Sequence, residues 1–236
     1  MKNVGFLFCV SLSILATTSH ANMIVHYQGL AKNGDRLAYI EKHTVEYDDQ
    51  GKLLSTATEY TSAAGKSIAE LRSDFRESLA VPSQTFKDFR TGNVEGVRRD
   101  RGKLVMFDQD PGKLERTRSL DDSDLGIHIL VGGQGMNYYL LDHLETIQPL
   151  QELSLRFLIP GKLDFYDFKI KKTNESTDGI VEFEIVIQNW FFKIFAPKLF
   201  VKYDKKKKRI VWYKGISNLK SDDGSKQNVT ITYEYE

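Results

Sequence analysis

The stretch Asp142-His143-Leu144-Glu145 sets acids on both sides of one histidine, the pattern of a general base oriented by a carboxylate. The same residues also read as a helix histidine with solvated neighbours. His26, His43 and His128 show no HxH or HxxxH spacing with it or with each other, and Cys9 is the only cysteine, so neither a zinc site nor another metal or cofactor is expected. A G-x-S-x-G elbow for serine chemistry is missing. Gly132-Gly133-Gln134-Gly135 precedes a helical pattern, where backbone N–H groups can cradle phosphate. It lacks the P-loop lysine and a βαβ context, and reads better as a flexible entry loop. Asp121 and Asp122 sit among turn formers, where capping is the ordinary role. Catalysis by Asp142 and His143 is therefore the weakest of the functional readings.

The segment 189–215, NWFFKIFAPKLFVKYDKKKKRIVWYKG, carries eight aromatic residues around four lysines and an arginine. Leu199, Val201 and Tyr203 alternate with polar or outward positions before the run, and Ile210-Val211-Trp212-Tyr213 follows it. Two β-rich arms around a polar run predict a hairpin with Lys205, Lys206, Lys207, Lys208 and Arg209 at its tip. Such a tip protects an edge by solvation, or it meets anionic lipid headgroups at about 1 kcal/mol per basic residue. Nucleic acid is not an expected partner, because the net charge is only +1 and the sequence carries an export signal.

The aromatics raise a second question. Trp190 to Pro197 is too uniformly apolar for a half-wet strand, and Pro197 bars a central ladder position. Either these side chains fill a core or one side of them faces a cavity. Leu153–Ile159 and Leu163–Ile170, flanking Pro160-Gly161, add further apolar surface. If a cavity exists, its expected lining is Phe157, Phe165, Phe183, Ile185, Trp190, Phe191, Phe195 and Trp212.

The elements that must position these residues are mostly strands. Val181, Phe183, Ile185 and Ile187 alternate with Glu182, Glu184 and Gln188, and Val229 to Glu236 alternates in the same way. That is the period of a sheet with one buried and one wet face. Turn signals at Asp48–Gly51, Ala63–Gly65, Asp100–Gly102, Asp110–Gly112 and Asp222–Gly224 fall at hairpin spacing. One segment departs: Met136, Tyr139, Leu140, His143, Leu144 and Ile147 recur at helical spacing and predict a short amphipathic helix packed on the sheet. The expected fold is mainly β (α+β), a curved antiparallel sheet or half-barrel with a short helix on its concave side. Hydrophobic residues make up 41% of the chain, enough for one core.

Lys2, the apolar run Val4–Ala16 and Ser19-His20-Ala21 have the layout of a secretory leader cut after Ala21. Residues 22–236 are then a single β-rich domain without cysteine, held by its core and suited to a bacterial periplasm. Removing Lys2 from 33 basic residues leaves 32, against 32 acidic ones. A neutral chain has no global field, so any electrostatic attraction is local.

RFLIPGKLDFYDFKI (Arg156–Ile170) and FVKYDKKKKRIVWYKGISNLKSDDG (Phe200–Gly224) resemble an uncharacterised group of secreted proteobacterial proteins. The likeness is to a VPSRLDYYxFRI strand pair and a later YDxxTRRLLRYxGxSN hairpin, with Gly161-Lys162 standing in place of Ser-Arg. It covers roughly the last hundred residues and implies no activity. In outline the chain is also similar to the LolA/LolB half-barrel, in which a curved sheet and plug helix shelter acyl chains. Three readings follow: a periplasmic, non-catalytic binder of a lipid or other apolar ligand, in peripheral contact with an envelope membrane; a protein–protein module of the envelope; and an enzyme of unknown type. Oligomeric state is not legible in the sequence.

Overall fold

The computed structural model describes residues 22–121, 124, 128–147, 152–188, 198–221 and 223–236. The leader and Trp190, Phe191 and Phe195 lie outside the described residues. Eight strands run first: β1 (Met23–Asn33), β2 (Arg36–Tyr47), β3 (Leu53–Ser62), β4 (Ser67–Asp74), β5 (Ser83–Asp88), β6 (Val94–Asp100), β7 (Lys103–Gln109) and β8 (Arg116–Ser119). Next come β9 (Ile129–Gly132), the helix α1 (Gly135–Asp142), β10 (Glu152–Ile159), a 3-10 turn (Pro160–Lys162) and β11 (Asp164–Glu175). The chain closes with β12 (Ile180–Ile187), β13 (Leu199–Asp204), β14 (Arg209–Lys220) and β15 (Lys226–Tyr235).

All fifteen strands form one curved sheet in the order β8-β7-β6-β5-β4-β3-β2-β1-β15-β14-β13-β12-β11-β10-β9. It is an up-and-down meander whose first and last strands meet in the middle, with β1 antiparallel to β15. Tight turns set the register. Between β6 and β7 the pair Asp100↔Lys103 leaves Arg101 and Gly102 at φ +49° and +80°, the two positive values that a twist-matched hairpin turn requires. Among the described strands the one parallel pair is β9 with β10; such a pair needs a crossover, and α1 lies within it.

The two ends of the sheet overlap like a scroll. Ile129 and Val131 of β9 and Leu153, Leu155 and Phe157 of β10 face α1, in a core with Leu140, Leu144, Phe168, Ile170, Phe183 and Ile185. The intervening Leu130 and Leu158 face the opposite way and pack on Val97 of β6 and Met106 of β7. Strand β10 is therefore buried on both faces, with Leu155 and Leu158 each 0% exposed. This explains why LSLRFLI reads as a nearly continuous apolar run: double-sided burial removes the polar half of the alternation.

Polar groups latch the overlap. Arg156 donates from Nε to Asp167 Oδ1 (2.7 Å) and from Nη2 to Asp167 Oδ2 (3.1 Å). Arg118 reaches Asp124 at 2.5 Å and the Leu163 carbonyl at 3.1 Å. Both guanidiniums lie over the Phe165 ring, at 4.2 Å for Arg156 and 5.1 Å for Arg118. Glu95, on the inner face of β6, accepts a hydrogen bond from the Gly161 N–H. Burial, helped by nearby Asp108, pushes its carboxyl above the ordinary range.

Candidate functional site: an apolar end pocket with a cationic lip

Most of the inner face is packed. Two further clusters adjoin the one around α1: Ala31, Tyr39, Tyr60, Ala69, Leu219 and Ile231 in one, and Val45, Leu53, Phe75 and Tyr138 in the other. At one end of the scroll, α1 comes beside the start of β1, the end of β2 and the β13–β14 turn. A pocket of about 380 Å³ opens there, within the usual range for small-molecule sites.

Its walls are apolar and aromatic. Met23, Val25 and Tyr27 come from β1, Val45 and Tyr47 from β2, Tyr138 and Leu141 from α1, Ile210 from β14 and Tyr235 from β15. Register explains the grouping, since Met23↔Tyr47, Val25↔Val45 and Tyr27↔Tyr235 are facing pairs on one side of the sheet. Tyr27 stacks on His43 (4.3 Å between centroids) and on Tyr235 (4.7 Å), and Tyr138 meets Phe75 edge to face at 5.0 Å. Burial raises the phenol pKa values of Tyr27, Tyr138 and Tyr235, so these groups stay neutral. Asn137 Oδ1, also at the pocket, is buried without a hydrogen-bond partner among the described residues.

The lip is formed by Lys207, Lys208 and Arg209, with the terminal Glu236 also lining the pocket. The turn that carries them is tied down by Asp204, whose Oδ1 accepts from Lys207 N at 3.0 Å, and it places Lys208 at φ +47°. Lys205 turns aside, pairing with Glu145 at 2.9 Å and Glu175 at 3.0 Å. Lys206 is exposed and lies near Gly179.

Helix α1 is held over the pocket by a buried chain of hydrogen bonds that sequence reasoning missed. Thr56 Oγ1 donates to Gln134 Oε1 (2.6 Å), and Gln134 Nε2 donates to Thr58 Oγ1 (2.7 Å). Thr58 then has its own proton left for His43 Nδ1 (2.9 Å), which puts the imidazole proton on Nε2, donated to Glu41 Oε2 at 3.0 Å. The signal was present in β2: Glu41 and His43 share the parity of Tyr39 and Val45, which are both core residues. The expected flexible loop at Gly132–Gly135 is instead tightly packed. A Cβ at Gly135 would sit 2.0 Å from the Ala80 carbonyl oxygen, and one at Gly133 would collide with Gln84.

The other sequence candidates fall in different places. Phe183 and Ile185 are fully buried in the core against α1, and Phe157 packs at its margin. Phe165 is held in the overlap latch. Trp212 lies under the Lys202 ammonium, 4.9 Å from the ring centroid, while its neighbour Tyr213 packs on the inner core. The cause is a bulge: Lys202 pairs with Trp212 but Tyr203 with Ile210, so Val211 is extra and parity changes across it. None of these five lines the end pocket, whereas Lys207, Lys208 and Arg209 of the predicted tip do.

His143 caps α1. Its Nδ1 donates to the Tyr139 carbonyl at 2.8 Å and stands 3.8 Å from Asp142 Oδ2, so its proton is committed to the helix's own backbone. Among the described residues no group of three His, Cys, Asp or Glu is placed to hold a metal. A larger groove of about 580 Å³ crosses the outer face of β15, β1, β2 and β3, lined by polar groups such as His26, Gln28, Lys42, Thr44 and Glu59. Tyr27 and Tyr235 line both, but the end pocket adds Met23, Val25, Val45, Leu141 and Ile210, whereas the groove adds mostly charged and polar side chains, so the end pocket is the better candidate for a ligand with apolar surface.

No family model matches the chain. No curated protein matches it. A solved structure similar to it is a beta-barrel-like protein of domain of unknown function DUF1849 from Brucella abortus, at 11% identity and a TM-score of 0.38, covering 91% of this chain and 97% of that one.

Proposed function

We propose that this chain is a non-catalytic binding protein that shelters the apolar part of a small ligand in the end pocket, working after export in the cell envelope. The observation that carries the reading is the pocket itself: about 380 Å³ walled by tyrosines and aliphatic side chains beside α1. Each methylene sheltered there contributes about 0.8 kcal/mol, which offsets part of the cost of association. The secretory layout of residues 1–21 supports the envelope location. Exposed Lys206, Lys207 and Lys208 beside the mouth suit transient contact with an anionic leaflet, at about 1 kcal/mol each.

The test is native mass spectrometry of gently purified protein, followed by titration with a fluorescent fatty acid. A co-purified adduct or saturable micromolar binding is expected. Apo mass alone, with no binding of the probe, contradicts the reading. That outcome favours a second one, an envelope interaction module, which the packed remainder of the inner face supports.

A further inference from the structure

The lip of the end pocket carries three cationic residues, Lys207, Lys208 and Arg209, against one acid, Glu236. Lys205 is taken up by two glutamates, but no ion pair to Lys207, Lys208 or Arg209 occurs among the described residues. Arg209 is the most telling of the three. Its guanidinium lies 4.2 Å from the centroid of the Tyr235 ring, against the pocket wall, and its Nε is buried with no hydrogen-bond partner among the described residues. A buried donor on a cation without an acceptor is costly, so this guanidinium gains from any acceptor that reaches its exposed side. Lys208 sits at φ +47°, a backbone state that favours glycine, so the turn keeps a cationic side chain at a position where it carries strain.

The pocket sets the size of the apolar part. At about 30 Å³ per water-sized group, 380 Å³ holds about a dozen such groups. That is about the bulk of a single alkyl chain and less than that of the two chains of a diacyl lipid. We propose, resting on the binding function above, that the ligand is a single-chain amphiphile with an anionic head, a carboxylate or a phosphate monoester. Arg209 receives the head, Lys207 and Lys208 add local charge, and the chain lies along Tyr27, Tyr138 and Leu141.

The experiment is calorimetric titration of the full chain with four dodecyl probes below their micelle concentrations: dodecanoate, dodecyl phosphate, dodecyl maltoside and dodecyltrimethylammonium. At least one anion is expected to bind about tenfold or more tighter than the maltoside, as charge-assisted hydrogen bonding requires. Whichever anion leads identifies the head as carboxylate or phosphate. The Arg209→Gln variant is expected to lose about tenfold in affinity for the anion and to hold the maltoside as before. Should that variant fail to fold, raising salt on the wild type reads the same quantity: anion affinity falls and maltoside affinity does not. Equal binding of anionic, neutral and cationic probes, or an anion affinity insensitive to both Arg209→Gln and salt, overturns the anionic head and leaves the apolar pocket standing. Failure of all four probes to bind overturns the binding function itself.

Discussion

Replacing Thr58 with valine tests whether the buried chain from Thr56 to Glu41 holds the helix over the pocket. Valine keeps the shape of threonine and deletes only the hydroxyl, at a position 0% exposed. The deletion strands the Gln134 Nε2 proton, 2.7 Å from the lost oxygen, and the His43 Nδ1 lone pair, 2.9 Å from it. A buried polar atom deprived of its partner costs about 1–3 kcal/mol, so two of them predict a loss of about 2–6 kcal/mol in unfolding free energy. Urea unfolding followed by far-ultraviolet circular dichroism measures it, with Thr44→Val as control. Thr44 lies on the outer face, where its 3.2 Å contact to His26 is exposed, and a change within about 0.5 kcal/mol is expected there. Combining Thr58→Val with Gln134→Leu should cost about 1 kcal/mol less than the sum of the single losses, because both remove the same bond. A Thr58→Val protein within 0.5 kcal/mol of wild type, or strict additivity of the pair, refutes the idea that the network anchors α1.

Three further outcomes follow from the overlap latch and the lip. Arg156→Met removes both bonds to Asp167 and the charge over Phe165; amide exchange should quicken in β9, β10, β6 and β7 while β2 and β3 stay protected. Equal loss across the sheet would show the latch to be no local device. Glu95 has its folded pKa raised by burial, so its ionisation opposes folding above that pKa and not below the unfolded value. Glu95→Gln should therefore raise the melting temperature at pH 8, with the gain shrinking as pH falls toward the ordinary glutamate value of about 4.3; a gain that grows toward acid contradicts the assignment. Lys208→Gly relieves the positive φ and should stabilise by about 1 kcal/mol in thermal unfolding, while weakening binding of an anionic probe. No stabilisation would show that the turn stores no strain.

Much of the fold was legible because alternation reports a half-buried sheet directly. VEFEIVI is strand β12, with Val181, Phe183 and Ile185 inside as their period demands. The curved antiparallel sheet, with its short helix among the inner-face residues, is the architecture that the strand pattern predicts. The scroll was not legible, since overlap of β10 with β6 and β7 is a contact between residues far apart in sequence and leaves only an ambiguous apolar run behind. The pocket was half legible. Its cationic lip stands out as a lysine run, but its walls are ordinary alternating residues such as Val25, Tyr27 and Tyr47 that meet only through the β1–β15 and β1–β2 registers. Trp212 shows how one inserted residue defeats a period argument: the bulge at Val211 puts it beside Lys202 and puts Tyr213 inside.

Mapping of amide and methyl chemical shifts during titration with dodecanoate tests the central claim most directly, that the end pocket is the binding site. Saturable changes are expected, centred on Tyr138, Leu141, Ile210 and Arg209. Changes centred instead on the outer groove around His26, Lys42 and Glu59, or no saturable change anywhere, contradict it.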